Sequence, residues 1–261
     1  MPRAQLYLYL LTTYFSKRIA SSVPMNVRME VQVAARHGIL ASFIVGTRLS
    51  TLLGFENHPT FGTLVQDISA KGYSVQENVL PLALGALIMA ELQSENVTSR
   101  FKKAGVGRHK DFHVNELIRT DTISWIDGDT AAGAAWGVWT GEMQVLLNEQ
   151  LFLGLFTFES HFAHYGKGDF YLTHHDAFKG EGNRRLSIVM YLNPNWLAAD
   201  AGELVLHVGV GEAEVAIKVA PKFGTLVAFL SEDIPHEVLV TEADRFSIAG
   251  WFRVNGSHVI L

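Results

Sequence analysis

In the segment Tyr171-Leu-Thr-His174-His175-Asp176 an imidazole and a carboxylate stand two residues apart. On a β-strand, residues i and i+2 share a face, so His174 and Asp176 project together while His175 points away. They make two corners of a metal site. Such a pair also arises by accident, and it needs a third ligand from a separate strand. His236, in Asp233-Ile-Pro-His236-Glu-Val, supplies that candidate. Two His and one Asp leave three metal positions open, which suits non-haem Fe(II) binding a cosubstrate and O2 together. A closed structural zinc site would use four protein ligands. The competing interpretation is a core histidine with surface polar residues, and spacing alone does not separate the two. The chain has no cysteine, so disulfides, thiolate metal sites and Cys nucleophiles are all excluded.

A second cluster follows His236. The chain reads as a strand over 237–240, a turn through Thr241-Glu-Ala-Asp244 and a returning strand from Arg245. If this is a hairpin with a four-residue loop, Val240 pairs with Arg245, Val238 with Ser247 and His236 with Ala249. Directly opposed residues share a face, so His236 and Arg245 look into one space, ~13 Å apart along the backbone. That leaves room for a small dicarboxylate between a metal and the guanidinium. A buried, unpaired Arg would be costly there, and an anionic ligand resolves the cost.

Other signals carry less. Gly209-x-Gly211 lacks the third glycine of a dinucleotide fingerprint, because Glu214 stands there. Asn96-Val-Thr98 and Asn255-Gly-Ser257 match glycosylation sequons, which matter only in a secreted protein. Asp127 and Asp129 read as turn residues. His161 and His164 would lie together on a helix but face opposite sides of the strand expected there.

The elements that must position these residues are mostly short strands. After residue 155 eight runs are expected: 155–165, 170–176, 186–193, 203–208, 214–219, 224–229, 237–240 and 246–254. With helices expected over 79–92 and 132–153, this is a mainly β fold with flanking helices, built on a jelly-roll or cupin-like core. The stretch 101–111 (FKKAGVGRHKD) is glycine-bearing and basic, as in a mobile surface loop. Charged residues make up 18% of the 261, against ~25% in ordinary domains. A net charge of −5 argues against nucleic acid or acidic membranes as partners. The apolar runs 6–11 and 38–46 are too short to span a bilayer, which takes ~20 residues. The cytoplasm is the expected compartment, with residues 1–70 an extension of uncertain structure and 71–261 a single domain.

These residues resemble a known family. Arg119-x-Asp121, His174-x-Asp176, Tyr191-Leu-Asn193-x-x-Trp196, Gly202-Glu-Leu, Phe229-Leu-Ser231, Pro235-His236-Glu-Val and Arg245-Phe-Ser-Ile-x-x-Trp251-Phe are similar to the 2-oxoglutarate- and Fe(II)-dependent prolyl 4-hydroxylases, most of all the Egl-9/SM-20-type branch. The resemblance runs from about residue 72 to 253. It implies a double-stranded β-helix in which His174, Asp176 and His236 hold Fe(2+) and Arg245 pairs with the distal carboxylate of 2-oxoglutarate. Collagen-type relatives use Lys at that last position. Tyr191 and Tyr165 are the implied cosubstrate-side tyrosines, Arg184 and Trp251 the implied substrate-side residues. Ala249 stands where close relatives have Thr, and the stretch 101–121 falls where the family has its substrate-covering loop.

The implied activity is a dioxygenase, consuming O2 and 2-oxoglutarate with ascorbate as reductant. It would hydroxylate C4 of a prolyl residue in a protein or peptide and release succinate and CO2. Two alternatives stay open: the same chemistry on a small molecule such as free proline, and a non-catalytic sensor that binds metal and dicarboxylate.

Overall fold

The computed structural model describes Phe55, 58–105, 115–126, 128–177, 183–209 and 211–254. Expectations for residues 1–54, the glycine-bearing stretch 106–114, Asp127 and the 255–257 sequon lie outside the described residues. The chain forms two compact units. One includes Leu80–Ser99 and Ile126–Met143; the other includes Pro59–Val79, Arg100–Trp125 and the chain from Gln144 onward.

In the first unit, helix α2 covers Leu82–Leu92 and the one-turn α3 Glu95–Thr98. Leu84, Ile88 and Leu92 recur at helical spacing and are buried. The expected start at 79 is three residues early. Pro81 sits outside the helix with extended backbone (ψ 135°), and its carbonyl accepts from Gly85 N. Helix α4, Ala131–Leu151, begins in this unit and ends in the other.

The second unit holds the sheets. Helix α1, Pro59–Lys71, buries Phe61, Leu64, Val65 and Ile68 and packs on β1 (Tyr73–Gln76) and β9 (Leu226–Leu230). It ends at Gly72, whose φ of +78° only glycine takes at little cost and whose N–H closes on Ile68 O. The remaining strands are β2 (Lys102–Lys103), β3 (Thr122–Trp125), β4 (Leu155–Tyr165), β5 (Tyr171–His174), β6 (Arg184–Tyr191), β7 (Leu204–Val208), β8 (Val215–Val219), β10 (His236–Val238) and β11 (Arg245–Val254). They form a seven-stranded sheet, β1-β9-β6-β11-β4-β3-β2, and a four-stranded sheet, β5-β10-β7-β8. All pairings within them are antiparallel. Ala163, Tyr165, Tyr191, Val227 and Phe229 from the larger sheet share one core with Leu204, Leu206, Val219 and Val238 from the smaller. This is the jelly-roll core that the strand count implied, and the double-stranded β-helix that the resemblance implied.

One expected feature is absent. β10 and β11 are not a hairpin: β10 pairs with β5 and β7, β11 with β4 and β6. The turn between them crosses from one sheet to the other. Thr241 holds the crossing through distant partners, its N–H donating to Asp169 O and its carbonyl accepting from Gly168 N. His236 therefore has His174 and Leu206 as cross-strand neighbours, not Ala249.

Candidate metal centre

β5 and β10 place His174 directly opposite His236. Opposed side chains share a face, and the two rings lie 4.2 Å apart between centroids, tilted by 54°. Asp176 sits past the end of β5, yet its carboxylate returns to the same face. Oδ1 is 3.8 Å from His174 Nε2, and Oδ2 is 3.6 Å from His236 Nε2. One ligand atom from each residue thus lies within 4.8 Å of the others, while His175 is exposed.

The protonation states follow from the surroundings. His174 Nδ1 donates to Leu172 O at 2.8 Å and His236 Nδ1 to Ile234 O at 3.3 Å. A carbonyl only accepts, so the ring hydrogens sit on Nδ1 and each Nε2 keeps its lone pair. Burial, then the neighbouring His236, push His174 down to about 3, and burial lowers His236 as well. Burial would raise the Asp176 carboxyl, but the two imidazoles and a 2.6 Å hydrogen bond from Ser187 outweigh it and hold Asp176 at about 2. The Trp251 indole N–H also favours that carboxylate without meeting full hydrogen-bond geometry. At neutral pH the set is two neutral imidazoles and one carboxylate, the state in which side chains bind a divalent cation. Nitrogen and oxygen donors without sulfur fit non-haem Fe(II).

Arg245 opens β11 and is 1% exposed. Its Nε donates to Gly202 O at 2.9 Å and one terminal nitrogen to the Tyr191 hydroxyl at 3.4 Å. The guanidinium carbon lies 5.0 Å from the ring centres of both Tyr165 and Tyr191. No carboxylate of the described residues pairs with it. Gly202 is required here: at φ +66° a Cβ would stand 2.8 Å from Thr241 Cβ and 3.3 Å from Arg245 Cδ.

The profile of the 2OG-Fe(II) oxygenase superfamily matches residues 160–253, a span holding all four of these residues. The crystal structure of a Pseudomonas putida prolyl-4-hydroxylase superposes with a TM-score of 0.67 at 36% identity, over 75% of this chain and 100% of that one. The chain belongs to the 2-oxoglutarate- and Fe(II)-dependent prolyl hydroxylase family. A Trichoplax adhaerens prolyl hydroxylase, solved with a hypoxia inducible factor peptide fragment, matches at TM-score 0.66 and 25% identity, over 76% of this chain and 90% of that one. Human Egl nine homolog 1 is 27% identical over 196 residues, covering 72% of this chain and 45% of the human protein. The chain spans about half the length of the curated relatives it matches. Family members use Fe(2+), 2-oxoglutarate and O2.

In this hydroxylase fold Arg184 is already engaged. It binds Glu159 at 2.8 Å and stacks 3.7 Å over Trp251, while Arg253 takes the other Glu159 oxygen at 3.0 Å. His161 is buried between Trp125 and Trp251, with ring centroids 5.2 and 5.3 Å away. Burial, then Arg119, push it down to about 3, so its ring is neutral. His164, on the opposite face, pairs with Asp244 at 2.8 Å.

Three supporting groups have contacts that the sequence does not announce, although Arg119-x-Asp121 and Phe229-Leu-Ser231 stand among the motifs that carry the resemblance. Tyr171 stacks on His174 at 3.5 Å, and Arg119, bound bidentately to buried Asp121 at 2.6 and 2.7 Å, lies 4.2 Å over Tyr171. Phe229 packs against His236 at 4.5 Å. Ser187 and Ser231 stand behind Asp176. Strand alternation with β5 extended through Asp176 would have marked Tyr171 as facing away from His174, so only the folded chain exposes that stack.

Proposed function

We propose that the protein is a dioxygenase that hydroxylates C4 of a prolyl residue in a protein or peptide, converting 2-oxoglutarate to succinate and CO2. The observation that carries the reading is Arg245, a buried cation without a carboxylate partner among the described residues, against Tyr165 and Tyr191 of the core whose Phe229 packs on His236 of the cluster. A full charge left so is costly unless an anion completes it, and a dicarboxylate that also reaches the metal does so.

His174, Asp176 and His236 would hold the iron, with the Nδ1 hydrogen bonds fixing which nitrogen faces it. The planar guanidinium of Arg245 takes the distal carboxylate of 2-oxoglutarate in a fork that a Lys cannot reproduce. Tyr191, pushed up to about 12 by burial, stays protonated and donates to the same carboxylate. Tyr165, also raised well above its ordinary value by burial, keeps its hydroxyl too and walls the guanidinium from the other strand. Bound together, iron, 2-oxoglutarate and O2 supply the oxidation, placing one oxygen atom in a substrate C–H bond and the other in succinate. The apolar walls exclude water from the site.

On the substrate side, Trp125 is 50% exposed and leads through His161 to Trp251 beside Asp176. The C–H edges of a pyrrolidine ring pack on such indole faces. The peptide held by the Trichoplax relative supports a peptide substrate here.

The test is incubation with Fe(II), 2-oxoglutarate, ascorbate and proline-bearing peptides. Succinate should form, and peptide mass should rise by one oxygen located on C4 of proline. Absence of succinate under all conditions would overturn the dioxygenase reading; oxygen entering free proline alone would move the substrate to a small molecule.

A further inference from the structure

Asp176 is the one member of the cluster that lies outside any strand, since β5 ends at His174. No ladder hydrogen bond orients it, so its side chain must be held otherwise. Ser187, in the centre of β6 and 1% exposed, places its Oγ 2.6 Å from Asp176 Oδ2. Behind it, Ser231, fully buried just after β9, lies with its Oγ 2.8 Å from Ser187 Oγ.

The direction of this chain is determined. An ionised carboxylate only accepts, so the single Ser187 hydrogen goes to Asp176. Ser231 must then donate its hydrogen to Ser187. A hydroxyl that accepts one hydrogen bond donates a stronger one, which makes the pair a better anchor than either serine alone. Ser231 also ties the backbone: its carbonyl accepts from Ala177 N at 3.3 Å, next to Asp176, and its N–H donates to Arg185 O at 3.1 Å. Asp176 is thereby fastened at side chain and main chain to two neighbouring strands of the large sheet.

We infer that the Ser231–Ser187 hydroxyl pair is a positioning device for Asp176, committing Oδ2 to the protein and leaving Oδ1 as the oxygen for the metal. A carboxylate with one oxygen engaged would present a single ligand atom, so the three positions that two His and one Asp leave open would stay free for cosubstrate and O2. The inference rests on the metal-centre reading above. Neither serine touches metal or substrate; both act through Asp176.

The test uses Mn(II) as a redox-silent probe, titrated into the apo protein and followed by the electron paramagnetic resonance of free Mn(II). Losing an outer-shell partner costs about 10- to 100-fold in metal affinity. Ser187→Ala should weaken Mn(II) binding by that factor, Ser231→Ala by less, and Ser187→Thr, which keeps the hydroxyl, should stay near the parent. Co(II) visible absorption should change shape in Ser187→Ala, a signature that loss of packing alone would not produce. Should Ser187→Ala fail to fold, the contrast between Ser231→Ala and Ser187→Thr carries the test. Ser187→Ala or, in its absence, Ser231→Ala binding Mn(II) like the parent would overturn the inference. A parent that binds no Mn(II) would overturn the metal-centre reading itself, so the two failures are distinguishable.

Discussion

Replacing Arg245 with Met separates a ligand-binding role from a structural one. In the ligand-free protein the guanidinium is buried with a carbonyl and a phenol as its hydrogen-bonding partners. Exchanging buried ion pairs for apolar side chains of similar volume is neutral or stabilising by about 1–4 kcal/mol, and a charge with no carboxylate partner gains on that side at least as much. Against this, the Gly202 carbonyl loses its donor, at a cost of about 1–3 kcal/mol. The two nearly cancel, so the urea midpoint of the apo protein should move little. Binding should respond very differently. Removing one partner of a buried charge pair costs about 3–5 kcal/mol, which at about 1.4 kcal/mol per tenfold is a loss of affinity from about 100-fold to a few thousand-fold. Calorimetric titration of 2-oxoglutarate into the Mn(II)-loaded parent, Arg245→Met and Arg245→Lys measures it. Lys keeps the charge but not the fork and should fall between the other two. If Arg245→Met binds 2-oxoglutarate within tenfold of the parent, or if its apo form is strongly destabilised while affinity holds, Arg245 is structural and the reasoning fails.

Three further outcomes are expected. His174→Ala and His236→Ala should each abolish succinate formation while His175→Ala retains it, since His175 is exposed and outside the cluster; loss in His175→Ala alone would contradict the geometry. Gly202→Ala should lower stability and raise the KM for 2-oxoglutarate more than it lowers kcat, because the added Cβ presses on Thr241 and Arg245; an unchanged KM would show that the loop yields without moving the guanidinium. The apo protein should lose stability on acidification. Folded His161 and His174 stay neutral to about 3, whereas in the unfolded chain they take up protons at about 6.5. Between these limits the unfolded state binds more protons, so stability falls as pH drops, by up to about 1.4 kcal/mol per pH unit for each histidine. Urea unfolding in EDTA from pH 7.5 to 4.5 checks this, and a flat profile would contradict it.

The clustering of the candidate ligands could be read from the chain because a strand's two-residue period carries His174 and Asp176 to one face, although β5 itself stops at His174 and a bend completes the turn to Asp176. Arg245 was legible through the cost of burying a charge. The pairing of His236 was not. The four residues between Val240 and Arg245 look like a hairpin loop locally, but the backbone of Thr241 is held by Gly168 and Asp169, some seventy residues earlier in the chain. Nothing near Thr241 announces that crossing. Helix α4 was expected to run to 153, but Phe152 and Gly154 take positive φ, and the Asn148 side chain both donates to Leu155 O and accepts from Leu155 N. Ser187, within Arg-Leu-Ser-Ile-Val-Met, reads as a small residue in an apolar strand; its partner Asp176 is eleven residues away in the chain. Arg184, an implied substrate-side residue, pairs with Glu159, a carboxylate on another strand of the same sheet that no local pattern announces.

The central claim is that one ferrous ion and one 2-oxoglutarate bind together between the histidine pair and Arg245. Anaerobic titration of Fe(II) and 2-oxoglutarate, followed by visible absorption, tests it most directly. A charge-transfer band should grow in and saturate at one iron and one 2-oxoglutarate per chain, persist in His175→Ala, and vanish in His174→Ala. A parent protein that develops no band with both present, or develops it equally without His174, would contradict the account.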